Sequence, residues 1–504
     1  MKPHLTNKTR GISWGSLLLP LLLALIFLAF TFSYFPFREK LQFDTDEGLN
    51  LMRSMLVAQG YPLYSEVSSD QPPLFTHLLA LVLHIVGFDV NPARFLVLLF
   101  STLLVWAGAQ FLQLTSGKLA AVFFLPLIIM VPQYLVLSVS VMIGIPSIAL
   151  AVTSMLFVAV WHQSKSNLWL FLSSFALALS VLIKLFTGFV APIFFAGIAL
   201  SEYLARRKEG FSWRLLRPAL IWSLCFAAMT ILLGSLLIGP QNLWLIIFPS
   251  LTAASQAVFQ SESFSMNAHL QAAVPVLVLG FLGAAVSVYR RRWLALYPLA
   301  WAILAYILFS FYSPVFYHHT LLITVPFAML GAVAVADGLT GLFRVRKPAD
   351  VLRFQAVSGI LALAGFLWVS TSYGPVLDRE LMNAPRLSDF TLRATSGKLR
   401  VIRTMEEHVA QTHWILTDMP MYAFRVRRPV PPNLATFSQK RLSTGSLTEE
   451  DILAAMHEYR PEQVLIARFE IPALEAYLQE NYTLILSVEF FRLFLRNDLA
   501  QAMQ

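Results

Sequence analysis

Charge is what this sequence has least of: 13% of its 504 residues are Asp, Glu, Lys or Arg, while 57% are hydrophobic and the mean hydropathy is +0.66. An average soluble domain carries about 25% charged residues, so the composition excludes a soluble globule and defines a polytopic membrane protein. Cysteine is nearly missing too. The single thiol, Cys225, lies in the apolar run IWSLCFAAMTILL, which excludes an intrachain disulfide, a thiol redox pair and a cysteine metal cluster. The net charge of +9 does not point to nucleic acid, because the basic residues cluster in short loops between apolar runs. No internal repeat or low-complexity segment is evident.

What is present is a series of long apolar runs. Lys2, Lys8 and Arg10 precede a run from Trp14 to about Pro36, too long for a cleavable signal core of roughly 7–15 residues and long enough for a span of roughly 20. It reads as a retained signal anchor with the N-terminus in the cytoplasm. After Pro72-Pro73 the stretch LFTHLLALVLHIVG is shorter, closer to an interfacial or re-entrant helix. Further spans are expected over Ala93–Leu114, Leu119–Leu137, Ile143–Val160, Leu168–Ile183, Phe186–Leu204, Leu215–Ile238, Leu270–Val288, Leu294–Ser310, Leu321–Leu342 and Phe354–Thr371, about eleven in all.

Loop charge tests this arrangement independently. It places Lys118, Lys165, Arg206, Arg207, Lys208, Arg214, Arg217, Arg290, Arg291, Arg292, Arg344, Arg346, Lys347 and Arg353 on the cytoplasmic side, as the positive-inside rule requires. The outer side then holds an acidic loop over residues 37–92, Lys184, the segment Gly239–His269, Tyr312–His319 and everything after residue 372. Residues 373–504 change character. HWILTD, QVLIAR and TLILSVEFFRLFLR read as strands, the last as a candidate hairpin, and Lys398–Ala410, Glu449–Tyr459 and Pro472–Glu480 read as helices. Alternating strands and helices predict a small extracytoplasmic α/β domain following the 1–372 membrane module. It has no Gly-rich phosphate loop and no Gly-x-Ser-x-Gly elbow, so its expected role is support or acceptor recognition. Within it Arg425, Arg427 and Arg428 beside RRPVPPN read as a solvated loop, with acceptor or headgroup contact as the alternative.

The most polar part of the N-terminal half is Phe43–Leu74, FDTDEGLNLMRSMLVAQGYPLYSEVSSDQPPL. Asp44, Asp46 and Glu47 stand directly before a helical pattern in which Leu49, Met52, Met55 and Leu56 share a face. Acidic residues at a helix start are ordinary capping, and the plain reading is a capped, solvated loop. The setting, an acidic loop on the outer face of many spans, favours chemistry. A carboxylate beside a low-dielectric boundary is suited to taking a proton from a hydroxyl in a transition state.

Asp46-Glu47, a helix, a Gly-Tyr turn, Asp70-Gln71-Pro72-Pro73-Leu74, a short apolar helix ending at Gly87, and Asn91-Pro92-Ala93-Arg94 together resemble the first outer loop of the GT-C glycosyltransferases that use polyprenyl-phosphate sugars. Protein O-mannosyltransferases and lipid A aminoarabinose transferases are the best-known members. The resemblance is closest over about Phe43–Phe95 and implies a GT-C-like membrane fold of about eleven spans with an outer domain. It implies that Asp46 is the catalytic base, that Glu47 orients it or helps to bind the sugar, and that transfer to an acceptor hydroxyl inverts the anomeric carbon by single displacement. The chain departs from the family in two places. Gln71 stands where the aminoarabinose transferases have a Lys, and Ser138–Ser147, SVSVMIGIPS, lacks the acidic residue that several relatives carry there. Asp44, Asp70, Gln71 and Tyr317 are accordingly candidates for a second acid or for substrate binding.

A departing lipid phosphate needs cationic or hydrogen-bonding support. Arg94 is one candidate, with interfacial snorkelling as the plainer reading. Lys184, a charge at the outer turn of two apolar runs in VLIKLFTGFVAP, is more informative because an unpaired charge there is costly. His318 and His319, after Tyr317, are candidates for hydrogen bonds to phosphate, with membrane anchoring as the alternative. Adjacent histidines make a weak metal pair, so no tightly bound metal or cofactor is expected, while a loosely held divalent ion stays compatible. The expected protein is a glycosyltransferase of the plasma (inner) membrane with a polyprenyl-phosphate-linked sugar as donor and membrane lipids around it. Neither the sugar nor the acceptor, whether protein, lipid or glycan, is encoded in a motif. A lipid or sugar transporter or flippase, an oligosaccharyl ligase using a diphosphate-linked donor, and a non-catalytic scaffold are the alternatives. Most spans lack the mid-membrane polar residues that transporters place there.

Overall fold

A computed structural model describes residues 14–206, 213–245, 265–343, 354–382 and 397–501. Arg207, Lys208, Arg344, Arg346, Lys347 and Arg353 of the basic loops lie outside them, as do residues 246–264 of the outer segment.

Length and apolar composition set the membrane part. Among the described residues nine helices are long and apolar enough to cross a bilayer: Leu17–Tyr34, Val90–Ser116, Gly144–Ser164, Leu185–Leu204, Arg217–Ile238, Met266–Tyr289, Trp293–Ser310, Tyr317–Leu342 and Ala356–Gly374. Lys118–Ile129 and Asn167–Ile183 are shorter apolar helices and bring the set to the eleven expected. One run differs from its reading. Leu119–Leu137 divides into the Lys118–Ile129 helix and a single turn, Tyr134–Leu137, with Gln133 left-handed at φ 63° between them. Pro132 causes the break, since it lacks an N–H and forces the preceding residue away from helical backbone.

The Tyr317–Leu342 helix is buried without a break from Leu321 to Gly338 and forms the central post. Small residues let its neighbours approach: a Cβ on Gly283 would lie 1.8 Å from the Leu330 carbonyl oxygen, and Gly338 meets Gly359 backbone to backbone. Such contacts replace the hydrophobic driving force that helices lack among themselves in lipid. The Pro73–Val86 helix buries Phe75, Leu79 and Leu83 and exposes Leu81, Ile85 and Val86. That one-sided pattern suits a helix lying at an interface.

The C-terminal residues form a four-stranded sheet in the order β1-β2-β4-β3, from Ile415–Thr417, Gln463–Ile466, Tyr482–Val488 and Phe491–Arg496. β1 and β2 are parallel, and β3 and β4 make the hairpin, with a bulge between Leu484 and Leu486. One cluster, including Phe437, Ile452, Met456, Val464, Leu474 and Leu478, forms the sheet's own core. Ile415, Met421, Leu465 and Leu493 instead join the core that contains Leu51, Met52 and Met55 of the outer loop.

The sheet domain is therefore joined to the acidic loop by packing. The Pro420–Arg425 helix lies against the Thr45–Ala58 helix, and Gly48 permits the contact: a Cβ there would stand 2.5 Å from the Met421 backbone nitrogen. Arg425 donates to the carbonyls of Lys40 (2.9 Å) and Leu41 (2.8 Å), and Arg428 donates to Val409. This corrects the reading of that basic stretch as a solvated loop: Arg427 is exposed, whereas Arg425 and Arg428 are structural ties. Ser68 adds three more, donating from its backbone N–H to Pro432 and from its hydroxyl to Asn433 while its carbonyl accepts from Thr436.

Candidate functional site

The Thr45–Ala58 helix starts where Asp44, in extended backbone, accepts the Asp46 N–H on Oδ1 at 2.8 Å. Leu49, Met52, Met55 and Leu56 are buried, as their spacing predicts. The second oxygen of Asp44 accepts the Tyr317 hydroxyl at 2.5 Å, which ties the helix start to the central post. Asn50 donates to the Val141 carbonyl at 2.8 Å, and the Val141 N–H donates to Glu47 at 3.0 Å. One helix thus fixes the 138–143 loop through both backbone groups of a single residue.

Glu47 is fully buried. It accepts Nε and Nη2 of Arg94 at 3.1 and 2.8 Å, the Phe43 N–H at 2.8 Å and the Val141 N–H. Burial alone would raise its pKa, but the Arg94 charge and these hydrogen bonds hold it below the ordinary value. Arg94, equally buried, spends Nη1 on the carbonyls of Phe37 and Lys40 and lies over the Phe43 ring. These positions correct two expectations. Neither residue lines the cavity: Arg94 is committed to a carboxylate and two carbonyls rather than to a ligand phosphate, and Glu47 is committed to Arg94 rather than to a sugar.

Asp46, one residue earlier, points the other way. It borders a cavity of about 690 Å³ lined by the acidic loop, the helix ends beside it and the sheet domain. Among the described residues no hydrogen bond or ion pair reaches its carboxylate. Burial first, then the charges of Asp44 and Asp70, push its pKa up to about 7, against the opposing pull of Arg53 and Lys184.

Lys184 ends the Asn167–Ile183 helix in extended backbone and also borders the cavity. Its turn is pinned by Ser180, whose hydroxyl oxygen lies 2.7 Å from the Ser147 carbonyl and 2.7 Å from the Thr187 hydroxyl, while Thr187 donates to the Lys184 carbonyl. The Ser147 contact sets the lysine beside the first turn of the Gly144–Ser164 helix, which has no side-chain cap and whose Gly144 and Ile145 line the cavity. The Lys184 ammonium lies 5.9 Å from the centre of the Phe186 ring. Burial pushes its pKa down to about 8 despite the attraction of Asp46.

Tyr317, His318 and His319 line the same cavity. Nδ1 of His319 accepts the Phe316 N–H at 3.1 Å, and its ring stacks on Phe309 at 5.1 Å. Nδ1 of His318 is buried with no partner among the described residues. Asp70 pairs with Arg53 at 3.4 Å and with Lys440 at 3.3 Å. Burial would raise its pKa, and the two cations, Lys440 first, hold it low. Gln71 is at the wall, and its carbonyl accepts from Tyr64 at 2.6 Å. Among the described residues, no three His, Cys, Asp or Glu side chains gather as a metal ligand set.

Three cations at this cavity escaped the sequence reading. Arg53 stands seven residues after Asp46, two helical turns along the same face, a spacing that was legible. Lys440 and Arg468 come from the sheet domain and carry no local signal.

The fold defines a class: a multi-pass membrane protein with the GT-C fold and a C-terminal sheet domain. No protein-family model and no curated protein sequence matches the chain. Among solved structures it is similar to ArnT from Cupriavidus metallidurans bound to undecaprenyl phosphate, with a TM-score of 0.58 and 14% identity over 95% of this chain and 98% of that one. It is also similar to the oligosaccharyltransferase AglB from Archaeoglobus fulgidus in complex with an inhibitory peptide and a dolichol-phosphate. There the TM-score is 0.52, with 16% identity over 90% of this chain and 70% of that one.

Proposed function

We propose that this chain is a glycosyltransferase of the plasma membrane that moves a sugar from a polyprenyl-phosphate carrier to an acceptor hydroxyl on the outer face. The observation that carries the reading is the pairing, in one cavity, of an uncommitted carboxylate near neutral pKa with a buried lysine. The similarity in fold to two structures that hold polyprenyl phosphates supports it by analogy.

In the proposed reaction the acceptor oxygen bonds to the anomeric carbon as its proton passes to Asp46. The bond from that carbon to the phosphate oxygen breaks, and its electron pair leaves with the phosphate. Attack opposite the leaving group inverts the centre. The Lys184 ammonium and the uncapped start of the Gly144–Ser164 helix supply positive potential where the phosphate gains charge. The apolar residues Leu137, Met142, Ile143, Ile145, Phe186 and Leu321 give the carrier's first isoprene units a dry wall. No step needs a bound cofactor. Glu47 and Arg94 serve by fixing the helix that presents Asp46.

The test is mass spectrometry of lipids retained by gently purified protein, joined to turnover of varied undecaprenyl-phosphate sugars in nanodiscs. Retained polyprenyl phosphate that is lost in Lys184→Ala, and release of polyprenyl phosphate that stops in Asp46→Asn, are the expected results. Bulk phospholipid alone in every variant, with no release from any donor, would overturn the reading in favour of transport.

A further inference from the structure

We propose that Lys440 and Arg468, carried into the cavity by the sheet domain, form a second anion subsite that takes a phosphate or carboxylate group of the acceptor. The inference rests on the reading that the donor's phosphate sits at Lys184.

Seven charged side chains line the cavity. The acidic loop and the helix ends supply Asp44, Asp46, Arg53, Asp70 and Lys184, and the sheet domain supplies Lys440 and Arg468. Asp70 is shared between Arg53 and Lys440. The Arg468 guanidinium has no ion pair or side-chain hydrogen bond among the described residues and lies 4.9 Å from the centre of the Phe469 ring. Four cations against three carboxylates leave the lining one positive charge in excess, and the Arg468 guanidinium is without an ionic partner among the described residues. Within a recess partly walled by apolar groups, such an excess is screened less than on an open surface and attracts an anion.

The backbone that carries each cation is held in place. The buried Asp418 carboxylate accepts the backbone N–H groups of Ala467, Arg468 and Phe469, the shortest at 2.6 Å, and so shapes the loop that presents Arg468. Lys440 follows Ser438, which caps its short helix, and Arg441 beside it donates to the Ser68 hydroxyl and the Asn433 carbonyl at 2.9 Å each. Lys440 is thus fixed to the acidic loop, and the Arg468 loop to the sheet domain. A donor phosphate at Lys184 leaves the Arg468 guanidinium unmatched, so the second anion belongs to the other substrate. The acceptor class is a hydroxyl-bearing molecule with a phosphate or carboxylate near the reacting hydroxyl.

Phosphorus NMR line broadening of inorganic phosphate by the full chain, in phosphatidylcholine nanodiscs with and without saturating undecaprenyl phosphate, tests this. Wild type and Lys184→Ala are expected to bind inorganic phosphate under both conditions. In Lys440→Ala/Arg468→Ala that binding should weaken at least tenfold, while undecaprenyl phosphate binds within twofold of wild type. Unchanged inorganic phosphate binding in the double variant would overturn the proposal. So would loss of undecaprenyl phosphate from it, which would assign the subsite to the donor. Arg468→Ala alone surrenders no ion pair and keeps the test decisive if the double variant unfolds. A wild type that binds inorganic phosphate at Lys440 and Arg468 but no undecaprenyl phosphate would sink the donor reading, and with it the assignment to an acceptor, while leaving the anion subsite in place.

Discussion

Asp46 and Glu47 are neighbours in the chain and sit in opposite surroundings. Glu47 faces inward onto Arg94, with two backbone N–H groups completing its partners, and is held ionised. Asp46 faces the cavity without a partner among the described residues, and its pKa is pushed to about 7. The two cations repeat the contrast, Arg94 being saturated and Lys184 open. A fully paired charge builds structure, because removing one partner strands the other in a dry interior. An unpaired one at a cavity costs stability and is kept where it performs chemistry.

The sharpest way to break this comparison is to neutralise each carboxylate in turn. Asp46→Asn is expected to lower turnover by about 10²- to 10⁴-fold, the usual worth of a general base, with donor binding retained. It should also stabilise the fold at high pH. A carboxyl whose folded pKa is raised keeps its proton longer than the unfolded chain does, so its cost to stability appears as pH rises from about 4 to about 7. The asparagine variant should therefore melt above wild type at pH 8, with the gap closing toward pH 4. Glu47→Gln is expected to do the reverse and destabilise by about 3–5 kcal/mol, as breaking a buried pair does. Its lowered pKa contributes stability above its unfolded value of 4.5, lost only as pH falls through the folded value. Thermal melts across pH 4–8 decide both. Equal destabilisation by the two substitutions would erase the distinction.

Gly48→Ala probes the next level, the joint between the acidic loop and the sheet domain. Its Cβ would meet Met421 backbone at 2.5 Å, which a side-chain rotation cannot relieve. The substitution is expected to cost about 1–3 kcal/mol, typical of overpacking, and to move Lys440 away from Asp70. Proteolysis of the sheet domain should become faster while the membrane helices stay protected. An unchanged melting temperature and digestion pattern would show that the joint yields freely.

Much of this organisation was legible because lipid imposes simple rules. Apolar length marked the spans, and a lysine within an apolar hairpin drew attention to Lys184. The exact partners of charged residues were not legible. Arg94 looked like a phosphate ligand because nothing local reveals that Glu47, 47 residues away, meets it in the fold. Lys440 reaches Asp70 across 370 residues through packing by a separate sheet. The alternating pattern predicted that sheet without saying which of its loops would face the cavity. Pro132 shows the converse, a local signal strong enough to divide an apolar run that hydropathy reads as one.

The smallest expected effect is also the most specific to the open pair. Asp46 must be unprotonated to accept a proton, so kcat/KM should rise with pH through about 7. Lys184 must be charged to support the phosphate, and its pKa near 8 places a falling limb close above. The profile should be a narrow bell. Lys184→Arg keeps its charge at every accessible pH, so the falling limb should vanish while the rising limb stays. Lys184→Gln removes the positive charge beside Asp46, and the rising limb should move to higher pH. Asp70→Asn removes a like charge and should move it lower. The direction of each shift carries the test. A rising limb that ignores both substitutions would belong to some other group, and Asp46 would lose its place as the base.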